Sequence, residues 1–283
     1  MTGFRRVGWM AWGFAFALAA CDGDAGATPV DADVTSVEPE DALRDGVVVL
    51  DVRESEAFDA GHIPGAVIFD AGSLRATVDG VEGQVAPRDV AEARFSAAGI
   101  APDDDVLVTG ADNGTDPARV AWTLRYYGHH GDVMLLDGGM AAYEAAGLDV
   151  EQGASQADVN DYTVDVTRDG LRVDKAWMLD HLVDDDVVVF DVRTPEEFDD
   201  GHIPGAVNVN WTQNLDGAGR FRADADVRSL HGDPDAPTLV VYCRTGSRAS
   251  VSWALLRRAG FADVRLYDGS WAEWGADPDT PKA

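Results

Sequence analysis

A motif that occurs twice constrains this chain more than any other feature. Asp51-Val52-Arg53 runs on through Phe58-Asp59 to Gly61-His62-Ile63-Pro64-Gly65-Ala66-Val67. The same words return 140 residues later, from Asp191-Val192-Arg193 to Gly201-His202-Ile203-Pro204-Gly205-Ala206-Val207, with thirteen of seventeen positions identical. Identity at that level over an ungapped stretch marks a duplication, so the chain is expected to fold as two copies of one unit. Asp137-Gly138-Gly139 and Asp268-Gly269-Ser270 form a second matching pair. Each copy has a short apolar run before its motif, Val47 to Leu50 and Val187 to Phe190. Later runs follow at Val106 to Val108 and Val133 to Leu136, then at Leu239 to Val241 and Val264 to Leu266. Short continuous apolar runs separated by helix-like stretches predict buried parallel strands with crossover helices. The fold class is therefore α/β.

The copies differ after their third run. In copy two, Leu239-Val240-Val241-Tyr242 leads into Cys243-Arg244-Thr245-Gly246-Ser247-Arg248 and then a helix-like run from Ala249 to Arg258. A cysteine between a strand and a helix N-terminus sits where backbone N–H groups and the helix dipole favour a thiolate, and two arginines act the same way. A buried structural cysteine is the alternative, but it does not need a loop of Gly, Ser and two Arg. Four residues separate Cys243 from Arg248, one fewer than in cysteine-dependent phosphatases, so the loop suits a single carried sulfur better than a tetrahedral phosphate.

This loop resembles that of the rhodanese (thiosulfate sulfurtransferase) family. Pro117-Ala118-Arg119-Val120-Ala121-Trp122 through Gly128-His129 in copy one and Asp268 through Gly275 in copy two resemble the family's two-domain members. The resemblance implies tandem rhodanese-like domains, each a twisted parallel sheet with helices on both faces. It also implies covalent catalysis at Cys243: the thiolate takes the outer sulfur of a donor such as thiosulfate, and the persulfide passes it to a thiophilic acceptor such as cyanide. Arg244, Thr245, Gly246, Ser247 and Arg248 are the implied substrate-binding residues. Two arginines favour the thiosulfate dianion over 3-mercaptopyruvate, whose enzymes typically start Cys-Gly-Ser-Gly. Thr245 stands where thiosulfate enzymes often have lysine, which leaves a 3-mercaptopyruvate donor as an alternative. A relay that receives its persulfide from a protein partner also fits Cys243. No cofactor is expected.

Other residues take quieter readings. His62 occupies the place of His202 in the copy without a nucleophile, so both are read as structural. The pairs Asp51–Arg53 and Asp191–Arg193 are read as ion pairs at strand ends. His129 and His130 lack neighbours at ligand spacing, so no metal is expected. Ser247 is expected to cap the helix or to donate to the persulfide. Aligning Trp122 with Trp253 puts Asp112 opposite Cys243, give or take a small gap, so copy one is expected not to form a persulfide.

The N-terminus reads as an address. Arg5 and Arg6 precede an uncharged, mostly apolar stretch, and Leu18-Ala19-Ala20-Cys21 resembles a bacterial lipobox. Residues 1–20 are then a lipoprotein signal and Cys21 an acylation site, which implies a lipid anchor in the cell membrane, facing the periplasm or cell exterior. Residues 21–34 are a flexible tether. The domains are expected at 35–150 and 171–283, joined by a polar connector at 151–170. With Cys21 acylated, Cys243 has no disulfide partner within the chain. The chain carries 22 basic and 51 acidic residues, a net charge of −29 that becomes −31 once Arg5 and Arg6 leave with the signal. Such a charge excludes nucleic-acid binding. It also repels a dianion, so Arg244 and Arg248 are expected to form a local positive well within a Debye length, about 8–10 Å.

Overall fold

The apolar runs of both copies are strands, and the two copies order them identically. The computed structural model describes residues 34–155, 157–164, 166–232 and 238–283. Copy one comprises β1 (Thr35–Val37), β2 (Val47–Asp51), α1 (Ser55–Ala60), β3 (Val67–Ile68), β4 (Arg75–Val78), β5 (Val81–Val85), α2 (Arg88–Ala97), β6 (Asp105–Thr109), α3 (Thr115–Tyr126), β7 (Val133–Leu136) and α4 (Gly139–Ala145). Copy two comprises β8 (Arg172–Val173), α5 (Lys175–Asp180), β9 (Val187–Asp191), α6 (Pro195–Asp199), β10 (Val207–Asn208), α7 (Asp224–His231), β11 (Thr238–Tyr242), α8 (Ser247–Arg258), β12 (Val264–Tyr267) and α9 (Ser270–Trp274). The first sheet runs β3-β2-β6-β7-β1 and the second β10-β9-β11-β12-β8, every pair parallel. The α/β class and the doubled sheet follow the sequence expectation. The leader, Cys21 and the tether through residue 33 lie outside the described residues. No helix among the described residues is long and apolar enough to cross a membrane.

Buried parallel strands must be apolar on both faces, and the strands show why continuous runs were required. Val106 and Val108 of β6 enter the large core while Leu107 points to a smaller core on the opposite face. In β11, Leu239 and Val241 enter that same large core, and Val240 and Tyr242 face a third cluster with Tyr267 and Trp274. The large core spans both copies because α3 packs against α8. Trp122 of α3 and Trp253 of α8 are both fully buried there.

The copies also interlock by an exchange of hydrogen bonds. The β4–β5 hairpin of copy one reaches across, and Val85 N–H donates to Asp268 Oδ2 at 2.8 Å. In return, Phe221 N–H of copy two donates to Asp137 Oδ1 at 2.9 Å. Arg119 of copy one completes the first lock at 2.7 Å from Asp268 Oδ1, with both side chains fully buried. Arg220 pairs with Asp137 Oδ2 at 3.2 Å in the second. The connector packs along copy one and buries Tyr162 and Val164, with Tyr162 N–H on Ser96 Oγ at 3.0 Å.

Candidate active site

Cys243 follows the last residue of a strand whose end is anchored on two sides. Tyr242 pairs with Asp191 across the sheet, donates its hydroxyl to Asp191 Oδ2 at 2.5 Å and accepts Ile203 N–H at 3.1 Å. The next residue, Cys243, is unbridged and only 1% exposed. Its N–H donates to Ser270 Oγ at 3.3 Å. Its carbonyl accepts Trp271 N–H at 3.0 Å, and that of Arg244 accepts Ala272 N–H at 2.9 Å. The loop then turns at Gly246, φ +85°, and α8 starts at Ser247. Gly246 is the N-cap, and no side chain bonds the helix start. The capping role expected of Ser247 is thus corrected: the hydroxyl lies one residue too far into the helix. The first-turn N–H groups have no intrahelical acceptor, and the helix that carries them starts four residues after the cysteine.

The two arginines are not free cations, contrary to the positive well expected from the sequence. Half-buried Arg248 makes a bidentate pair with Glu197, 2.6 Å from Nη1 to Oε2 and 2.8 Å from Nη2 to Oε1. Those hydrogen bonds are the main cause that holds the Arg248 pKa above its ordinary value, with Cys243 adding a further hydrogen bond and charge interaction. They also push the Glu197 carboxyl down to about 2. Arg244 is exposed and faces Glu82 of copy one at 3.5 Å, a surface pair worth about 0–1 kcal/mol. Acids on both sides therefore offset the loop's charge.

Copy one walls the loop. A Cβ on Gly83, φ +81°, would stand 2.6 Å from Thr245 Cβ, so the hairpin can lie against the loop only with glycine there. Clefts of about 470 Å³ and 380 Å³ open on either side of Arg244. The first is lined by Arg75, Glu82, Gly83 and Thr245, the second by Arg193, Glu197 and Trp271.

Backbone bonds fix the correspondence between the copies. Thr109 pairs with Asp51 as Tyr242 pairs with Asp191. Met140 N–H bonds the Gly110 carbonyl as Trp271 N–H bonds that of Cys243. Gly110, not Asp112, is thus the counterpart of Cys243, and the copy-one loop is one residue longer, running from Ala111 to the N-cap Gly114 against Arg244 to the N-cap Gly246. The tryptophan alignment missed this by two residues: the helix register sets Trp253 opposite Ala121, and the loop adds one residue more. A cleft of about 390 Å³ opens on this loop and another of about 360 Å³ lies next to it, with Arg53, Glu54 and Asp116 in both. They hold no thiol.

The histidines of the repeated motif are structural, as expected. His62 bonds the Phe58 carbonyl at 2.9 Å and stacks on Phe58; His202 does the same with Phe198 at 3.0 Å. Arg53 and Arg193 pair with Asp51 and Asp191, and each bonds a carbonyl at the far end of its motif, Gly61 or Gly201. His129 is buried between the Asp104 carbonyl at 2.7 Å and the Tyr162 hydroxyl at 3.2 Å.

The sequence pattern of the rhodanese-like domain matches residues 38–146 and 174–277, one match on each copy. The chain belongs to the rhodanese family. Its rhodanese relatives include a thiosulfate sulfurtransferase of Corynebacterium glutamicum, 36% identical in an alignment that covers 81% of each chain. A thiosulfate sulfurtransferase of Pseudomonas aeruginosa is 30% identical over 87% of this chain and 95% of its own. The crystal structure of SseA from Escherichia coli, a 3-mercaptopyruvate sulfotransferase, superposes with a TM-score of 0.74 over 84% of this chain and 99% of that one. At 23% identity, that likeness shows the rhodanese fold.

Three residues at the rhodanese loop escaped the sequence reading. Glu197 holds Arg248. Ser270, at φ +52° where copy one has Gly139 at +58°, keeps a left-handed backbone and receives the Cys243 N–H. Arg119 reaches from copy one to the loop base, with Nη1 2.9 Å from where a Gly246 Cβ would stand. The signal for the first two was available: both lie at mismatches between the copies, Ala57 against Glu197 and Gly139 against Ser270.

Proposed function

We propose that the chain is a thiosulfate sulfurtransferase that carries sulfane sulfur on Cys243. The Cys243 thiolate attacks the outer sulfur of thiosulfate. A sulfur–sulfur bond forms to Cys243, the bond to the sulfonate sulfur breaks, and sulfite leaves with that electron pair. A thiophilic acceptor such as cyanide then attacks the outer sulfur of the persulfide, and thiocyanate leaves as the thiolate returns. Cys243 is buried, so a small donor fits this chemistry better than a bulky one. Arg248 beside the sulfur offers N–H donors to the departing anion. One observation carries the reading: an unbridged cysteine stands between β11 and the uncapped start of α8, with a clamped arginine against it. The names of the Corynebacterium and Pseudomonas relatives support thiosulfate as donor.

The finer reading places this enzyme on a membrane. The lipobox-like Leu18-Ala19-Ala20-Cys21 supports acylation of Cys21, with the domains held outside the cytoplasmic membrane by the tether. Globomycin-sensitive processing and lipid labelling, lost in Cys21→Ala, test it. For the enzyme, the purified chain is mixed with thiosulfate, and the peptide holding Cys243 is expected to gain the mass of one sulfur atom. Thiocyanate should then appear on addition of cyanide. A folded, reduced protein whose mass does not change refutes the assignment. A donor panel of thiosulfate against 3-mercaptopyruvate separates the two donor readings.

A further inference from the structure

The repeated motif differs between the copies at four positions, and all four lie on α6 or its two caps. Copy two has Thr194, Pro195, Glu197 and Asp200 where copy one has Glu54, Ser55, Ala57 and Ala60. Thr194 and Glu197 form a capping box. Thr194 Oγ1 accepts Glu197 N–H at 3.2 Å, and Glu197 Oε2 accepts Thr194 N–H at 3.1 Å. The same carboxylate takes both terminal nitrogens of Arg248, 51 residues further along. A capping box is served equally by Glu or Gln, so helix capping does not account for the bidentate pair. Copy one, which lacks the nucleophile, has alanine at this place.

We propose that Glu197 is a positioning residue for sulfur transfer, a clamp that fixes the Arg248 guanidinium beside Cys243. The proposal rests on the sulfurtransferase reading above. A guanidinium held before the donor arrives can meet the developing charge without reorganising. The clamp also cancels part of the charge of Arg248, so it does not serve to strengthen the binding of a dianion. Glu197 should therefore support kcat and leave KM for thiosulfate unaided.

The test uses the full chain with thiosulfate and cyanide in steady state, each variant checked for folding by circular dichroism. Glu197→Gln keeps the capping box and removes the charge; Thr194→Ala weakens the box and keeps the pair. Glu197→Asp keeps the charge but shortens its reach. Glu197→Gln is expected to lower kcat about ten- to a hundredfold, with KM unchanged or lower. Glu197→Asp should fall in between, and Thr194→Ala should stay near wild type. In an Arg248→Ala background, adding Glu197→Gln should change nothing, since the residue acts through Arg248 alone. A wild-type kcat in Glu197→Gln, a loss confined to KM, or a further loss in the Arg248→Ala background overturns the proposal. A wild-type protein that never loads sulfur overturns the parent reading instead.

Discussion

The two strand-to-helix loops of this molecule share a scaffold and differ in chemistry. Both follow the central strand of a five-stranded parallel sheet, and both lie beside the same Asp–Arg pair and histidine turn. Both accept N–H bonds from the helix after the Asp-Gly motif. Copy two differs by Cys243 for Gly110, a loop one residue shorter, Glu197 for Ala57 and Ser270 for Gly139. The shared motif carries the fold, and the reaction proposed above is left to a few unshared residues. Copy one also meets the loop of copy two, through Gly83 of its hairpin, and Arg119 ties that hairpin to Asp268.

The sharpest break of this comparison is an exchange of nucleophiles. Cys243→Ser is expected to reduce thiocyanate formation to background while the protein stays folded. Adding Gly110→Cys should restore nothing, because the longer loop brings no arginine to the new thiol. A thiocyanate assay that recovers turnover in the double variant would show that the scaffold alone suffices.

The two interdomain locks give the next largest contrast. Asp268→Ala leaves Arg119 buried without its partner, a situation that costs about 3–5 kcal/mol. Asp137→Ala leaves Arg220 partly exposed and still paired with Glu38, so about 1–2 kcal/mol is expected from the lost hydrogen bonds. Urea unfolding of the two variants measures both, and equal losses would mean that the locks are equivalent.

Much of the scaffold was legible because its signals are local. Each apolar run became a strand, and the duplication told which strands correspond. The candidate nucleophile was legible because the cysteine, glycine and arginines are contiguous. What stayed hidden depends on contacts far apart in the chain. Nothing near Arg248 announces Glu197, and Arg119 lies 149 residues from Asp268. The Gly110 correspondence needed strand register, which a loop insertion conceals. The acid partners of both loop arginines were equally invisible in a chain so rich in acids.

A smaller contrast is set by pH. Backbone bonds put His129 of copy one where copy two has Phe261: their N–H groups bond the carbonyls of Leu124 and Leu256. Burial lowers the His129 pKa from 6.5 to about 4, since a charged imidazole loses its water there. Below pH 6.5 the unfolded chain takes up a proton that the folded imidazole refuses. The stability His129 contributes is thus full above pH 6.5, falls as pH drops, and is gone near pH 4, a span of about 3 kcal/mol. His129→Phe should flatten the decline of melting temperature between pH 6.5 and 4.5. A residual slope is expected from His231, whose pKa burial also lowers. The slope is the measure, because phenylalanine leaves the Tyr162 hydroxyl and the Asp104 carbonyl unpaired at every pH. An unchanged slope would remove His129 from the account.

The smallest contrast concerns the glycines at the two helix starts, Gly114 before α3 and Gly246 before α8. Gly246 has φ +85°, where a side chain costs about 1–2 kcal/mol. Its Cβ would also stand 2.9 Å from Arg119 Nη1 and 3.1 Å from Asp268 Oδ1. Gly114 has φ −78°, open to any residue, and its Cβ would meet only the Asp112 carboxylate at 3.1 Å. Gly246→Ala should therefore destabilise the protein by about 1–2 kcal/mol and slow turnover, since the displaced backbone carries Cys243 and Arg248 with it. Gly114→Ala should stay within about 0.5 kcal/mol of wild type and leave turnover intact. Thermal melts paired with thiocyanate rates decide between them. If Gly246→Ala melts early but turns over normally, the loop conformation is a matter of stability alone, and the sulfur does not depend on the turn that follows it.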